Sequence, residues 1–201
     1  MQLRQVEYIS NPKFKLTTSH VWWSTQLLAL AILFISAYSG GINLIFVLLL
    51  IICILTPIFT MSIGKNEFYP INFEYLEKIT LTDNEIKIGE KNLEFKSIKN
   101  LEFNVRDFKG KRIQIIGSLK YSGPTLSQGV NNVIKFENQN EKYEIRFQLS
   151  SKDELSMLGE YISKLYSKEI EFEEKYDTLK SYGLKKLTHE EIKEFKKKYC
   201  S

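Results

Sequence analysis

The stretch "FISAYSGGINLIF", Phe34–Phe46, lies inside a run of 49 residues, Leu16–Gly64, that contains no Asp, Glu, Lys or Arg. One transmembrane helix needs about 20 apolar residues, because each residue adds only 1.5 Å and the hydrocarbon core is about 30 Å thick. Tilting a helix accommodates only a few extra residues. The segment 38–43 holds paired glycines with Ser and Asn, which favour a turn. The run therefore predicts two transmembrane helices, residues 21–38 and 43–61, with the turn at the far water interface.

Positive charges flank this predicted hairpin on both sides and are absent from its turn. Arg4, Lys13 and Lys15 precede it, and Lys65 follows it. Because positively charged flanks favour the cytoplasm, we expect a multi-pass membrane protein with both termini cytoplasmic. A cleaved signal peptide is excluded by the polar start and by the length of the apolar run. A buried hairpin of a soluble protein is disfavoured by the missing amphipathic pattern.

Short alternating segments with polar turns follow the apolar run from about Asn66. The segments expected to be strands are 73–82, 86–88, 93–95, 98–108, 112–117, 133–136 and 143–149. Lys109-Gly110 is predicted to be the turn between 98–108 and 112–117. Short strands at regular spacing are typical of an antiparallel barrel or sandwich.

Two capping boxes mark helices in the last quarter of the chain, at Ser151–Glu154 and at Thr188–Glu191. The first opens a helix to Tyr166 with one apolar stripe, formed by Leu155, Leu158, Ile162 and Leu165. This stripe is expected to cover the preceding sheet. The second opens a short helix with one apolar face, formed by Ile192, Phe195 and Tyr199. The acidic segment 169–174 fits either an extra strand or an extension of the first helix.

This order of elements resembles bacterial membrane proteins that carry a cytosolic pleckstrin-homology-like domain. The segments that carry the resemblance are Ile86–Gly89, "EFKSIKNLEF" (Glu94–Phe103), Tyr143–Leu149 and the helix Ser151–Tyr166. The resemblance covers roughly residues 20–170. It implies a protein of the bacterial cytoplasmic (inner) membrane with a membrane-tethered binding or scaffold role without catalysis, and it transfers no functional residue.

The expected fold class is α+β: a transmembrane hairpin, then an antiparallel barrel or sandwich capped by an amphipathic helix, then a short extra helix. The predicted domains are a cytosolic segment 1–20, a hairpin 21–61, a pleckstrin-homology-like domain 66–168 and an extension 169–201.

Motifs for catalysis, cofactors and metals are missing from the sequence. It has only two histidines, His20 and His189, and two cysteines, Cys53 and Cys200. No CxxC or HExxH occurs, and Gly117–Val130 does not match the phosphate-binding GxxxxGK[ST] pattern. A net charge of +4 is short of the basic footprint of a nucleic-acid binder. We therefore predict no catalytic residue, no cofactor, no metal and no nucleic-acid partner.

Candidate contacts with a protein partner or with anionic lipid headgroups are basic residues in two places. One group is near the 117–130 loop: Lys109, Lys111, Arg112 and Lys120. The other is at the end of the last helix: Lys196, Lys197 and Lys198. A solvated hairpin tip and favourable helix-dipole placement are the alternative explanations.

The expected function is that of a membrane-anchored, non-catalytic binding or scaffold protein in contact with the lipid bilayer, alone or as a homo- or hetero-oligomer. An accessory subunit of a larger membrane complex is the alternative. An enzyme of an unrecognised class comes third.

Overall fold

The structure is a computed structural model that describes residues 1–10, 14–38, 44–64, 66–113, 124–168 and 170–199. The chain forms two compact units. We call residues 1–11, 71–111 and 127–201 the sheet unit, and residues 12–70 and 112–126 the helical unit.

The described residues confirm the α+β class. Their strands are β1 (Gln2–Tyr8), β2 (Phe73–Leu81), β3 (Glu85–Ile88), β4 (Lys91–Glu94), β5 (Ile98–Val105), β6 (Lys109–Arg112), β7 (Leu126–Gln128), β8 (Asn132–Asn138), β9 (Glu141–Gln148), β10 (Phe172–Tyr176) and β11 (Leu179–Lys180). Their α-helices are α1 (Thr18–Tyr38), α2 (Leu44–Gly64), α3 (Lys152–Tyr166) and α4 (His189–Tyr199).

One large sheet has the strand order β11-β10-β5-β8-β9-β1-β2-β3-β4, and β6 pairs with β7 separately. The expected all-antiparallel arrangement needs correction, because β10 runs parallel to β5, with Phe172 opposite Leu101 and Tyr176 opposite Val105. The reason is α3, which connects β9 to β10 in the chain. It carries the chain back to the end of the sheet where β5 begins, so that β10 runs in the same direction as β5. Of the two alternatives for segment 169–174, the strand is the one observed.

The N-terminal residues differ most from expectation. We assigned 1–20 to a separate segment, whereas β1 lies inside the sheet between β9 and β2. Leu3 and Val6 are 3% and 2% exposed and belong to the buried interior. The sequence "QLRQVEY" has only these two core-facing residues, and its partners lie far along the chain, so no local pattern indicated the pairing.

The turn after β5 also differs from the prediction. β5 ends at Val105, and Lys109 and Gly110 lie in β6 rather than in a turn. The cause is the Asn132 side chain, whose Oδ1 accepts the backbone N–H groups of Arg106 (2.9 Å) and Asp107 (3.1 Å). Because these two N–H groups bond to a side chain, they cannot bond to a neighbouring strand, and β5 ends there. Residues 114–117 of the expected next strand lie outside the described residues.

The core of the sheet unit confirms the predicted apolar stripe of α3. Leu158, Ile162 and Leu165 are almost fully buried in one cluster with the sheet residues Phe103 and Phe147. Both capping boxes form, since Ser151 Oγ accepts Glu154 N–H (3.2 Å) and Thr188 Oγ1 accepts Glu191 N–H (3.4 Å). The Thr188 backbone N–H also bonds to the Glu191 carboxylate and lowers its pKa.

Candidate functional site

The helical unit exposes a large apolar surface. α1 and α2 pack against each other, yet Phe34, Leu27 and Leu30 are 78%, 65% and 63% exposed. Among the described residues, α1 is the one helix long and apolar enough to cross a membrane, and Val47–Thr56 in α2 is a shorter apolar stretch. Only 11% of the apolar window of α1 is buried, unlike the core helix of a soluble protein. The predicted turn between the helices, with Ser39 to Asn43, lies outside the described residues.

Polar contacts hold the start of α1 to the chain that follows α2. The Glu67 carboxylate accepts the Thr18 N–H (3.1 Å) and hydroxyl (2.6 Å), which places a negative charge at the positive end of the helix dipole. The Glu67 carbonyl accepts N–H groups from Thr125 (3.1 Å) and Leu126 (3.0 Å), and the Thr125 carbonyl accepts the Ile113 N–H (2.7 Å). We call these five residues the hairpin base; both helices of the pair therefore meet the rest of the chain at one end.

His20 also has a local role at this helix start. Its Nδ1 lies 3.1 Å from the Thr17 backbone nitrogen and 2.7 Å from the Thr17 hydroxyl. These contacts satisfy polar groups in the first turn of α1, where backbone donors have no partner within the helix. His20 thus acts as part of the helix end.

Residues 12–70 of the helical unit lie in the chain between two paired strands of the sheet unit. Tyr8 at the end of β1 lies opposite Phe73 at the start of β2. One residue further out, the Ile9 N–H donates to the Asn72 carbonyl at 3.1 Å. The chain leaves and re-enters the sheet at neighbouring positions.

Hydrogen bonds connect this exit point to the segment before β6. The Tyr8 hydroxyl donates to Asn131 Oδ1 (2.8 Å), and Asn131 donates to Asp107 from its backbone (3.1 Å) and its side-chain amide (2.7 Å). The Ser127 hydroxyl donates a short hydrogen bond to the same carboxylate. Asp107 is 7% exposed, and these donors satisfy it. The network links Tyr8 to Asp107 through Asn131.

A guanidinium lies over the Tyr8 ring. The Arg146 guanidinium carbon lies 4.9 Å from the ring centroid. Burial raises the pKa of Tyr8 above its ordinary value, although the positive charges of Arg146 and Arg106 oppose that rise. The Lys111 ammonium donates to the Arg106 carbonyl at 2.6 Å. That ammonium lies 5.0 Å from the Tyr176 ring centroid, away from Tyr8. We call Tyr8, Arg106 and Arg146 the exit surface.

The predicted contact residues fall into three groups: those on β6, those on α4, and one outside the described residues. Lys109, Lys111 and Arg112 share β6, and Lys120 lies outside the described residues. The other three, Lys196, Lys197 and Lys198, lie on α4, a different element. The Lys196 ammonium is 6.0 Å from the Tyr182 ring centroid, and the Lys198 ammonium is 5.0 Å from that of Tyr199.

Sequence reasoning missed Tyr8, Arg106 and Arg146. Arg106 and Arg146 are polar positions of predicted strands, and Tyr8 belongs to the predicted cytosolic segment 1–20. Nothing local distinguishes them, because Tyr8 and Asn131 are 123 residues apart.

Within the part of the chain that the structure describes, no three His, Cys, Asp or Glu side chains are grouped to hold a metal ion. Comparison with protein-family models, curated proteins and solved structures gives no match.

Proposed function

We propose that this chain is a membrane-anchored, non-catalytic binding or scaffold protein whose inserted helical hairpin crosses the membrane twice. The sheet unit is then presented on one side, the cytoplasmic side of a bacterial inner membrane. The observation that carries this proposal is the pairing of β1 with β2, because the chain between these two strands contains the charge-free run 16–64.

The pairing limits how often the insertion can cross a membrane. A single crossing would leave Ile9 and Asn72 on opposite sides, which is incompatible with the 3.1 Å hydrogen bond between them. The number of crossings is therefore even. Since α1 alone meets the requirements of one span, two crossings require α2 (Leu44–Gly64, 21 residues) to be the second.

Exposure of α1 supports the same conclusion. Soluble proteins rarely expose contiguous apolar patches of more than a few hundred Å². Leu27, Leu30 and Phe34 recur at helical spacing and are each more than 60% exposed. A lipid environment removes the cost of that exposure.

The architecture of the sheet unit supports a binding role. In chain order, the antiparallel strands β2 to β4, the antiparallel strands β5, β8 and β9 and the helix α3 on the core are similar to the pleckstrin-homology-like domains that the sequence resembles. β1, β10, β11 and α4 extend that arrangement. Such domains typically bind rather than catalyse, and the sheet supplies a rigid frame for surface contacts.

Arginine substitutions on α1 test the anchor. In water, replacing the exposed Leu30 and Phe34 by Arg would be harmless, whereas an Arg at the centre of a membrane helix costs about 2.5–3.5 kcal/mol. We expect wild-type protein to remain in bacterial membranes after an alkaline carbonate wash. The L30R/F34R variant is expected to fail to integrate and to be lost or degraded.

The matched control is Leu76→Arg, because Leu76 is also exposed (45%) but lies on β2. This variant should remain with the membranes. If L30R/F34R stays in the washed membranes as well as L76R does, the anchoring proposal is wrong. Cross-linking of the wild-type protein in washed membranes, followed by mass spectrometry, would identify the protein that the sheet unit binds.

A further inference from the structure

We propose that two copies of this chain associate in the membrane through α1, with the Gln26 side chains of the two copies hydrogen-bonded to each other. This inference rests on the proposed membrane anchoring, and it adds a partner that anchoring alone does not require. The partner is a second copy of the same helical hairpin.

α1 carries two lengthwise seams, each formed by residues three or four positions apart. This spacing is the one at which side chains of packed, left-handed helix pairs interdigitate. We call the first the inner seam; it consists of Trp22, Thr25, Ala29, Ile32 and Ser36. We call the second the outer seam; it consists of Trp23, Gln26, Leu30, Leu33 and Ala37.

The two seams differ in burial. In the inner seam, Ile32 and Ser36 are 6% and 7% exposed and the other three residues are half-buried. α2 packs against α1. In the outer seam, Trp23, Leu30 and Leu33 are 57%, 63% and 50% exposed. The outer seam is therefore available to a second helix while α1 keeps its contact with α2.

Gln26 gives the outer seam a hydrogen-bonding group inside the membrane. It follows the start of α1 by eight residues, so it lies about 12 Å along the helix axis, within the hydrocarbon of the proposed topology. Among the described residues, none pairs with the Gln26 carboxamide. The Thr25 hydroxyl, by contrast, donates to carbonyls of its own helix at 3.0 and 2.8 Å. An amide without a partner in hydrocarbon is unfavourable, and a partner helix removes that cost.

A second observation concerns the same layer of the helix. The Trp22 indole N–H, one turn before Gln26, is buried without a partner in the part of the chain that the structure describes. A carboxamide oxygen has two lone pairs, so it accepts two hydrogen bonds. The layer 22–26 of α1 thus holds hydrogen-bonding capacity that one copy of the chain does not use.

The chemistry of glutamine favours a second copy as the partner. A carboxamide both donates and accepts, so two glutamines satisfy each other. All copies of the chain insert with the same orientation, which puts Gln26 of each copy at the same depth. A two-fold axis along the membrane normal then brings the two outer seams together. In coiled coils a single amide side chain in such a seam sets the register and the number of helices.

Disulfide cross-linking of the full chain in bacterial membranes tests the inference. Leu33→Cys lies two turns after Gln26 in the outer seam, and the native cysteines are removed by Cys53→Ala and Cys200→Ser. We expect oxidation to give a product of twice the chain mass, because a disulfide forms only when the two Cα atoms come within about 7 Å. The matched control is Leu28→Cys, which is also exposed (53%) but lies on the opposite side of α1 and should stay monomeric.

A second substitution identifies the hydrogen bond. Gln26→Leu makes α1 more apolar, so the helix still integrates, and it is expected to slow disulfide formation at position 33 about tenfold. Its matched control is Ser24→Leu, which also removes a polar group but lies on the far side of α1 from Gln26. This control should cross-link at the unchanged rate.

Three outcomes would overturn the inference while the protein stays in carbonate-washed membranes. Leu28→Cys could cross-link as fast as Leu33→Cys, or Gln26→Leu could leave the rate unchanged. The third outcome is a product at position 33 that contains a different protein, which would assign the outer seam to another membrane protein. If the wash extracts the wild-type chain, the anchoring proposal fails as well, so the two failures are distinguishable.

Discussion

A chain in which Asn-Gly replaces residues 10–71 is expected to fold into a soluble sheet unit, whereas residues 72–201 alone are expected not to fold. Ile9 and Asn72 already form a backbone hydrogen bond between antiparallel strands. A two-residue turn of Asn-Gly can close such a pair with the right twist. The excision removes Glu67, whose carbonyl accepts the N–H groups of Thr125 and Leu126. Both of these residues belong to the helical unit, so the loss does not affect the core of the sheet unit.

The contrast between the two chains is large because β1 is an interior strand. Leu3 and Val6 are buried between β9 and β2, and burying each contributes about 1.5–3 kcal/mol. The Leu81 N–H and carbonyl are both bonded to Met1, at 2.7 Å. Without β1, the facing edges of β2 and β9 lose their partners. That loss is comparable to the whole stability of a domain, about 5–15 kcal/mol.

Circular dichroism and amide NMR dispersion of the two chains measure this difference. A matched control is the excised chain with Leu3→Asp and Val6→Asp, which keeps the length of β1 but buries two charges. We expect it to resemble residues 72–201. A well-dispersed, cooperatively melting 72–201 chain would show that β1 is dispensable, contrary to its position in the sheet.

Glu174→Gln is expected to release residues 181–199 from β10 and α3. Glu174 is 3% exposed, and its carboxylate accepts the backbone N–H groups of Gly183 and Leu184, both at 2.6 Å. It also accepts the hydroxyls of Tyr166 (2.8 Å) and Ser181 (3.2 Å). In glutamine, an NH₂ group replaces one of the two carboxylate oxygens. That NH₂ group donates hydrogen bonds, and it would face the N–H and O–H donors that the oxygen accepts in the native chain. Each buried donor left without an acceptor costs about 1–3 kcal/mol.

Hydrogen exchange by mass spectrometry on residues 181–199 of the full chain measures the release. We expect exchange to accelerate about a hundredfold, the factor for a loss of roughly 3 kcal/mol in local opening free energy. Glu173→Gln is the matched control, because this neighbour is 74% exposed and its contact is an ion pair with Lys175 at 3.6 Å. If residues 181–199 exchange at the same rate in Glu174→Gln and Glu173→Gln, the buried carboxylate does not hold this segment.

Elements with a local signal could be predicted from the sequence. The apolar stripe of α3 and its capping box each depend on residues within one or two helical turns. The helical spacing of the apolar residues predicts the stripe, and the Ser and Glu side chains at the helix start predict the capping box. The β8–β9 hairpin was also predictable, since strong alternation in β9 follows a polar turn. That turn has positive φ at Gln139 and Asn140, as a tight hairpin requires.

Features that depend on distant partners could not be predicted. Leu3 and Val6 are core residues because β1 pairs with β2. The two strands lie on either side of the helical hairpin in the sequence, so no local pattern indicates this pairing. The acidic segment gives no sign that Glu174 is buried while Glu173 is exposed, since the donors for Glu174 follow about ten residues later. The exit surface likewise requires Tyr8, Arg106 and Arg146 to meet, and they come from three separate parts of the chain.

Sidedness labelling of one variant tests the double crossing most directly. Gly41→Cys places a thiol between α1 and α2, and the native Cys200 reports the C-terminal end. Protein in bacterial inner membrane would be treated with a membrane-impermeant maleimide, either in spheroplasts or in inverted vesicles. We predict that position 41 reacts only in spheroplasts and Cys200 only in inverted vesicles. Labelling of both thiols from the same side would contradict a hairpin that crosses the membrane twice.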